Sequence, residues 1–448
     1  MCSHSSLEWL FLFVGGGTVV EEKLRQLQEL IEDREEELLA LVEKLVRFRT
    51  PSPPARNTNE AQQFVEQFLR ELDFETDLWD VYSGDPNVVG TREGENPEAY
   101  RSLIINGHMD VAEVEEENED WKYGPFDPVI EEDRIYGRGT ADMKGGLAGA
   151  LFAIKLLHEQ GIRLPGNLIF QSVIGEEVGE AGTLACCERG YSADLAVVVD
   201  TSDLNIQGQG GVITGWITVK SPNTYHDATR RDMIHAGGGV KGASAIEKMM
   251  KIMDGLRDLE NHWAVTKSYP NVPAGMNTIN PAVIEGGRHA AFVADECNLW
   301  ITVHFYPNED HHTIAQEVED HVRRVAKADV WLRENPPVFE WGGTSMIEER
   351  GEIFPSLDID EKGEGTLALK EAHQRIFGEM PSVSMSPSVT DGGWLGDAGI
   401  PTLIYGPGDL ENAHTVNESV STEQLIQFTK AMIVFIYTWC SMKRKGEE

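Results

Sequence analysis

Basic side chains are scarce in this sequence: 38 Lys and Arg stand against 75 Asp and Glu in 448 residues, a formal net charge of −37. Phosphate backbones are held by clustered Lys and Arg, so nucleic acid is excluded as a partner. An anionic membrane surface is excluded for the same reason. The acids read instead as a solvated, self-repelling coat. Cysteine is sparse as well. Its five copies, Cys2, Cys186, Cys187, Cys297 and Cys440, are odd in number and contain no CxxC pair. That excludes a disulfide framework and a thiolate zinc site, and places the chain in a reducing cytoplasm. Adjacent Cys186 and Cys187 read as packing residues of a helix. Long apolar runs are missing too. Leu7 to Val14, with Val19 and Val20, lacks a basic flank and is too short to span a bilayer, so it is neither signal nor anchor. The run Val14-Gly15-Gly16-Gly17-Thr18-Val19 reads as a translated ribosome-binding site followed by a valine start. Residues 1–19 are therefore expected to be a non-native or disordered leader, with the natural chain beginning near Val19.

What is present is enough for two or more domains. From Val20 to Arg47, Leu24, Leu27, Leu30, Ile31, Leu38, Leu41 and Leu45 recur at helical steps, and Phe64, Phe68 and Leu72 continue in a second helix. Short runs that are apolar throughout follow at Leu103 to Asn106, Leu168 to Ile174, Leu195 to Val199 and Thr402 to Tyr405. A helix over Gly145 to Gln160 separates the first two. Such alternation predicts an α/β sheet covered on both faces. After Gly210-Gly211 the texture changes: Val212 to Val219 and Asn298 to Phe305 alternate as half-exposed strands, while Ala243 to Leu259 and Ile314 to Ala326 read as helices. An α+β segment over 212–331 is thus expected to interrupt a first domain made of 20–211 and 332–448.

Chemistry gathers where the apolar strands end, as ligands do in open α/β sheets. Leu103-Ile104-Ile105-Asn106 runs into Gly107-His108-Met109-Asp110, where His108 is a metal-capable imidazole and Asp110 could hold its second ring nitrogen. Alone, this pair is equally readable as a surface loop. Gly137-Arg138-Gly139-Thr140-Ala141-Asp142-Met143-Lys144-Gly145-Gly146 presents Asp142 from a constrained loop and lacks the order of a phosphate-cradling GxxxxGK[ST]. Ile174-Gly175-Glu176-Glu177 places two adjacent carboxylates after a strand; the bland alternative is an exposed acidic turn. Asp200 follows Val199, and His414 follows the Thr402 strand and a Gly406-Pro407-Gly408 turn. Two imidazoles and four carboxylates form an oxygen and nitrogen set suited to two ions of zinc, cobalt or manganese. Two such ions, ~3.5–4 Å apart, would polarise a carbonyl and activate a bridging water.

In their order and spacing, these residues resemble the di-zinc hydrolases that include acetylornithine deacetylase, succinyl-diaminopimelate desuccinylase, aminoacylase and glutamate carboxypeptidase. The likeness runs from about Val20 to Tyr437. It implies a mixed sheet flanked by helices, with an inserted α+β lid and dimerisation domain. It also implies that Asp142 bridges two metals, that His108 and Asp200 complete one ion and that Glu177 and His414 complete the other. Glu176 would be the general base, Asp110 would act beside it, and the peptide after Asp142 would be cis. His226 would reach a partner's site in a homodimer and steady the oxyanion. Asn280, and Gly286-Gly287, match the lid's strand and turn, while His235, His262, His311 and His312 match nothing and should be solvated. Where many members carry Asp-x-Arg, this chain reads Thr302-Val303-His304. Where many carry Asp-Ala-Arg, it reads Asp391-Gly392-Gly393-Trp394. Without those guanidinium forks a substrate α-carboxylate loses its partner; Arg288 or Arg230 would have to compensate, with Gly392 and Gly393 near the substrate, or the substrate has no such group. The expected activity is removal of an acetyl, formyl or succinyl group from a small N-acylated amine or amino acid. A dipeptidase or carboxypeptidase of the same chemistry is the alternative, and a silent binding homologue would need a missing ligand, which is not found.

Overall fold

The structure, a computed structural model, describes residues 17–180, 182–234 and 237–445. Residues 1–16 of the expected leader, with Cys2, and His235 lie outside the described residues. The chain divides into two compact units: Met1–Gly208, Ile359–Ser386 and Thr390–Glu448 make the first, Gln209–Asp358 and Pro387–Val389 the second.

The first unit is built on a mixed sheet of eight strands, in the order Val383–Ser386, Ile206–Gln209, Thr402–Ile404, Leu195–Val198, Leu103–His108, Leu168–Val173, Asp85–Arg92, Glu75–Tyr82. The four strands beginning at Thr402, Leu195, Leu103 and Leu168 are mutually parallel, and antiparallel strands close both sides. Every residue of the Leu103, Leu168 and Leu195 strands is buried, as continuous apolar runs require of a sheet covered on both faces. Helices Lys144–Glu159 and Thr422–Cys440 are apolar almost all round and pack together. The expected single helix from Val20 is two, Gly17–Asp33 and Glu35–Val46, broken at Arg34. The first half packs on the Thr422 helix and the second on the Lys144 helix. Arg34 itself is drawn aside to Glu37 and Glu159.

The second unit is an antiparallel sheet with Gly211–Lys220 at its centre, paired along its whole length with Glu296–Phe305, which in turn pairs with Thr278–Gly286. Helices Ala245–Thr266 and His311–Ala328 cover one face through a core that includes Ile217, Met249, Leu299, Val318 and Trp331. This unit runs past the expected end at 331, because Val338–Trp341 and Ile353–Phe354 also pair with the Gly211 strand. Of the histidines expected to be solvated, His262 and His312 are exposed, but His311 is buried at the start of its helix against the ring of His312. Among the described residues, no helix is long and apolar enough to cross a membrane. Cys186, Cys187, Cys297 and Cys440 are free thiols, the first two in helix Gly182–Glu188.

His373 is one of the buried titratable groups of the first unit. The His373 ring stacks on Phe377, and its Nδ1 is 2.9 Å from the Tyr405 hydroxyl. Burial pulls its pKa down to about 4. The unfolded chain takes up this proton below pH ~6.5, whereas the folded chain resists until about 4, so stability drains away as pH falls through that window. His373→Gln, which keeps a partner for Tyr405, should remove about 1–3 kcal/mol of the acid-side loss. Urea unfolding at pH 7.5 and 4.5 measures it; equal losses in both proteins would reject the assignment.

Candidate metal centre

Strand register brings the acidic and imidazole groups to one level. His108 is the last residue of its strand and lies opposite Val173, while Asn106 lies opposite Val198. Asp200, two residues past Val198, is therefore level with His108 and Val173, and Glu176 and Glu177 are the third and fourth residues past that line. Ile404 pairs with Val198, so the chain leading to His414 leaves from that edge too. Asp142 reaches the same place from the loop ahead of helix Lys144–Glu159, through a cis peptide to Met143. The approach depends on glycine: a Cβ on Gly146 would lie 1.9 Å from the Val199 carbonyl oxygen, so any side chain there would push the helix off the Asp200 strand.

Asp142 sits between the two imidazoles. One oxygen is 3.2 Å from His108 Nε2, and the other is 3.4 Å from His414 Nε2. His414 Nε2 is also 2.8 Å from Glu177 Oε2. Glu176 Oε2 and Asp200 Oδ2 each lie 3.9 Å from His108 Nε2. The ligand atoms of His108, Asp142 and Glu177 fall within 4.8 Å of one another, and Glu177 Oε1 is buried with no hydrogen-bond partner. An imidazole and carboxylate set that converges and leaves a buried carboxylate oxygen unsatisfied fits a divalent cation. Asp110 behaves differently from expectation. Its backbone oxygen, not its carboxylate, meets His108 Nδ1 at 3.0 Å. The carboxylate accepts the N–H groups of Gly175 and Glu177 at 2.9 and 3.2 Å and so fixes the turn that carries both glutamates.

Burial and crowding shift every group here. Burial raises the carboxyls of Glu176 and Glu177, and Asp200 is pushed up to about 8 by burial and by Asp142. Burial would also raise Asp142, but His108 and His414 outweigh it and hold it below the usual range. Contacts with Asp142 and Glu177 lift His414 to about 11. His108, pulled down by burial, is held well above its ordinary value by Asp142, Glu176 and Asp110. The site is thus short of positive charge, and protons stand in for it.

The other expected site residues are placed as follows. Gly392 and Gly393 are buried in the short helix Gly392–Asp397 of the first unit. In the second unit, Asn280 is exposed on the edge strand, and Arg288 is engaged by Thr224 and Asp295 at 3.0 and 2.9 Å. Arg230 pairs with Glu247. His226 is exposed, with Nδ1 accepting the Ala228 N–H at 3.2 Å. Two residues carry weight that the motif reading missed. Asp391 is buried, takes a hydrogen bond from Thr183, leaves Oδ2 without a partner, and is raised by burial to about 7. Glu418, fully buried, accepts the N–H groups of Gly139, Ala141 and Asp142 on Oε1 at 3.0, 2.9 and 3.1 Å, and pairs through Oε2 with Arg138 at 2.7 Å. Arg138 in turn donates to the carbonyls of His414 and Thr415. This pair ties the Asp142 loop to the His414 loop. A lone Glu among 75 acids carries no sequence signal for such a role. Glu418→Ala, which strands Arg138 in the interior, should cost about 3–5 kcal/mol of stability and loosen metal retention. Denaturant unfolding and metal content after dialysis check both; a loss under about 1 kcal/mol would reject the role.

Comparison with known proteins agrees with this geometry. Residues 104–438 match the model of Peptidase family M20/M25/M40. Two relatives are each 61% identical to the chain: the N-formyl-4-amino-5-aminomethyl-2-methylpyrimidine deformylase of Bacillus subtilis (strain 168), over 95% of this chain and 100% of the relative, and the protein of the same name from Halalkalibacterium halodurans, over 95% and 99%. A solved dinuclear metal-binding peptidase of Bacillus subtilis has a TM-score of 0.62 at 17% identity, covering 91% of this chain and 99% of that one, a likeness of fold. The chain therefore belongs to Peptidase family M20/M25/M40, and within it is an acyl-removing amidohydrolase.

Proposed function

We propose that the chain removes the formyl group from a small N-formylated amine of the aminopyrimidine type, releasing formate and the free amine. The observation that carries this reading is the end-to-end 61% identity to deformylases named for such a substrate. The site's chemistry supports it. The substrate in that name bears no carboxylate, and the two arginine elements that would grip one read Thr302-Val303-His304 and Asp391-Gly392-Gly393-Trp394.

His108 and Asp200 would hold one divalent ion, Glu177 and His414 the other, with Asp142 between them; zinc suits this donor set, and cobalt or manganese would serve. Bound there, such ions polarise a carbonyl and make water a competent nucleophile near neutral pH. Glu176, raised by burial, takes a proton from the water that attacks the formyl carbon and delivers it to the amine nitrogen as the C–N bond breaks. Asp110 keeps Glu176 and Glu177 in register through the two N–H groups it accepts. The working form is a cytoplasmic homodimer in which His226 of the partner subunit donates to the developing oxyanion.

Glu176→Gln should lower kcat ~10²–10⁴-fold with metal content unchanged. Assay of the metal-loaded protein on N-formyl, N-acetyl and N-succinyl amines beside dipeptides should give the highest kcat/KM for the formyl amine; turnover of dipeptides alone would replace deformylation with peptidase activity. The shared site has its own test. Glu176→Gln and His226→Ala chains, each inactive, should regain activity when unfolded together and refolded as mixed dimers, and no recovery would reject the exchange of His226.

A further inference from the structure

Most arginines of this acidic chain find a carboxylate: at the C-terminal end of helix Lys144–Glu159, Arg34 pairs with Glu37 and Glu159, Arg70 pairs with Glu66, and Arg189 with Asp77. The side chains of Arg92, which ends strand Asp85–Arg92, and of Arg163, in the loop after helix Lys144–Glu159, make no ion pair or hydrogen bond among the described residues. They line one cleft of about 430 Å³, shared with His158, Asp73, Glu93 and Glu95. Arg92 is partly buried; that burial and the charge of Arg163 work against its own charge and outweigh the nearby charge of Asp73. His158 contributes a third nitrogen: its Nδ1 is buried without a hydrogen-bond partner and lies 3.7 Å from Asp73 Oδ2. Asp73, Glu93 and Glu95 are exposed, where water screens them.

Two neighbouring guanidiniums, one half-buried and one exposed, with no ion pair to either in a chain with twice as many acids as bases, describe a site that can take a counter-ion from outside. A carboxylate is satisfied by one guanidinium fork, whereas a tetrahedral dianion offers oxygens to two forks and an imidazole together. We propose that this cleft binds a phosphate group. It is separate from the metal centre. Leu168 lines it and opens the strand that leads to Glu176, and the five steps from Leu168 to Val173 at ~3.3 Å put the strand's two ends roughly 17 Å apart. The proposal does not depend on which amide the enzyme hydrolyses.

The test is titration of the metal-loaded enzyme with inorganic phosphate at low ionic strength, followed by calorimetry and by the ³¹P line width. Saturable binding is expected, weakened ~10-fold or more by Arg92→Gln or by Arg163→Gln, partly kept by Arg92→Lys, and lost in the double variant. Amide hydrolysis, measured without phosphate, should keep its kcat/KM in all of them, which also shows that they fold. Displacement of the bound phosphate by glycerol phosphate would assign the site to phosphomonoesters, and failure to displace it would assign it to the free ion. Binding that is undiminished in the double variant, or no saturable binding to wild type, would overturn the proposal.

Discussion

Four carboxylates gathered at one end of a covered sheet repel one another, and the first unit is arranged around that repulsion. Asp142, Glu176, Glu177 and Asp200 converge where little water reaches them, with Asp110 and Asp391 buried close behind. The protein's own cations do not neutralise them. Arg138 is committed to Glu418, and Lys144, brought down to about 7 by burial, spends its ammonium on the Phe48 carbonyl. What remains is two imidazoles, both held far above their ordinary range by the acids they face. Removing so many charges from water without compensation would cost more than a fold of this size can spare. Divalent cations held there, as proposed, would offset that cost and convert the repulsion into affinity.

Much of this was legible in the chain. Strands that are apolar throughout announce a covered parallel sheet, and the groups just past their ends announce the site, because a strand's exit is fixed once its apolar run is known. His108, Asp142, Glu176, Glu177, Asp200 and His414 all came together as those exits require. What escaped was of another kind. Glu418 binds three consecutive-loop N–H groups, but those partners lie some 280 residues earlier and nothing in its neighbours Asn417 and Ser419 points to them. Asp110 looked like a carboxylate for His108. The backbone carbonyl does that work at 3.0 Å because the carboxylate is needed by Gly175 and Glu177. The second unit's end escaped because Val338–Trp341 and Ile353–Phe354 are too short to carry a period of their own; they are strands only through pairing with Gly211–Lys220.

Departures from a pattern can say as much as agreement. His304 stands where the family pattern has a guanidinium, level across the sheet with Val212 and Thr278 on an exposed position of its strand. Trp394 fills the first unit's interior beside Gly392 and Gly393, both buried, where a longer charged side chain would have to find a partner.

The site's tolerance to change follows from where its precision resides. Five segments spread from His108 to His414 supply it, and no single loop holds more than two of the six groups. Their alignment is set by the pairing of His108 with Val173, Asn106 with Val198 and Val198 with Ile404. Slipping any of these strands by one residue would turn its side chains to the opposite face and carry its ligand ~3.3 Å along the sheet. Buried apolar residues on both faces forbid that slip. Loops then need only hold, as Asp110 and Glu418 do, what the sheet has already aligned. Substitutions of the apolar residues of the Leu103, Leu168 and Leu195 strands, His108 apart, therefore act on the site through register.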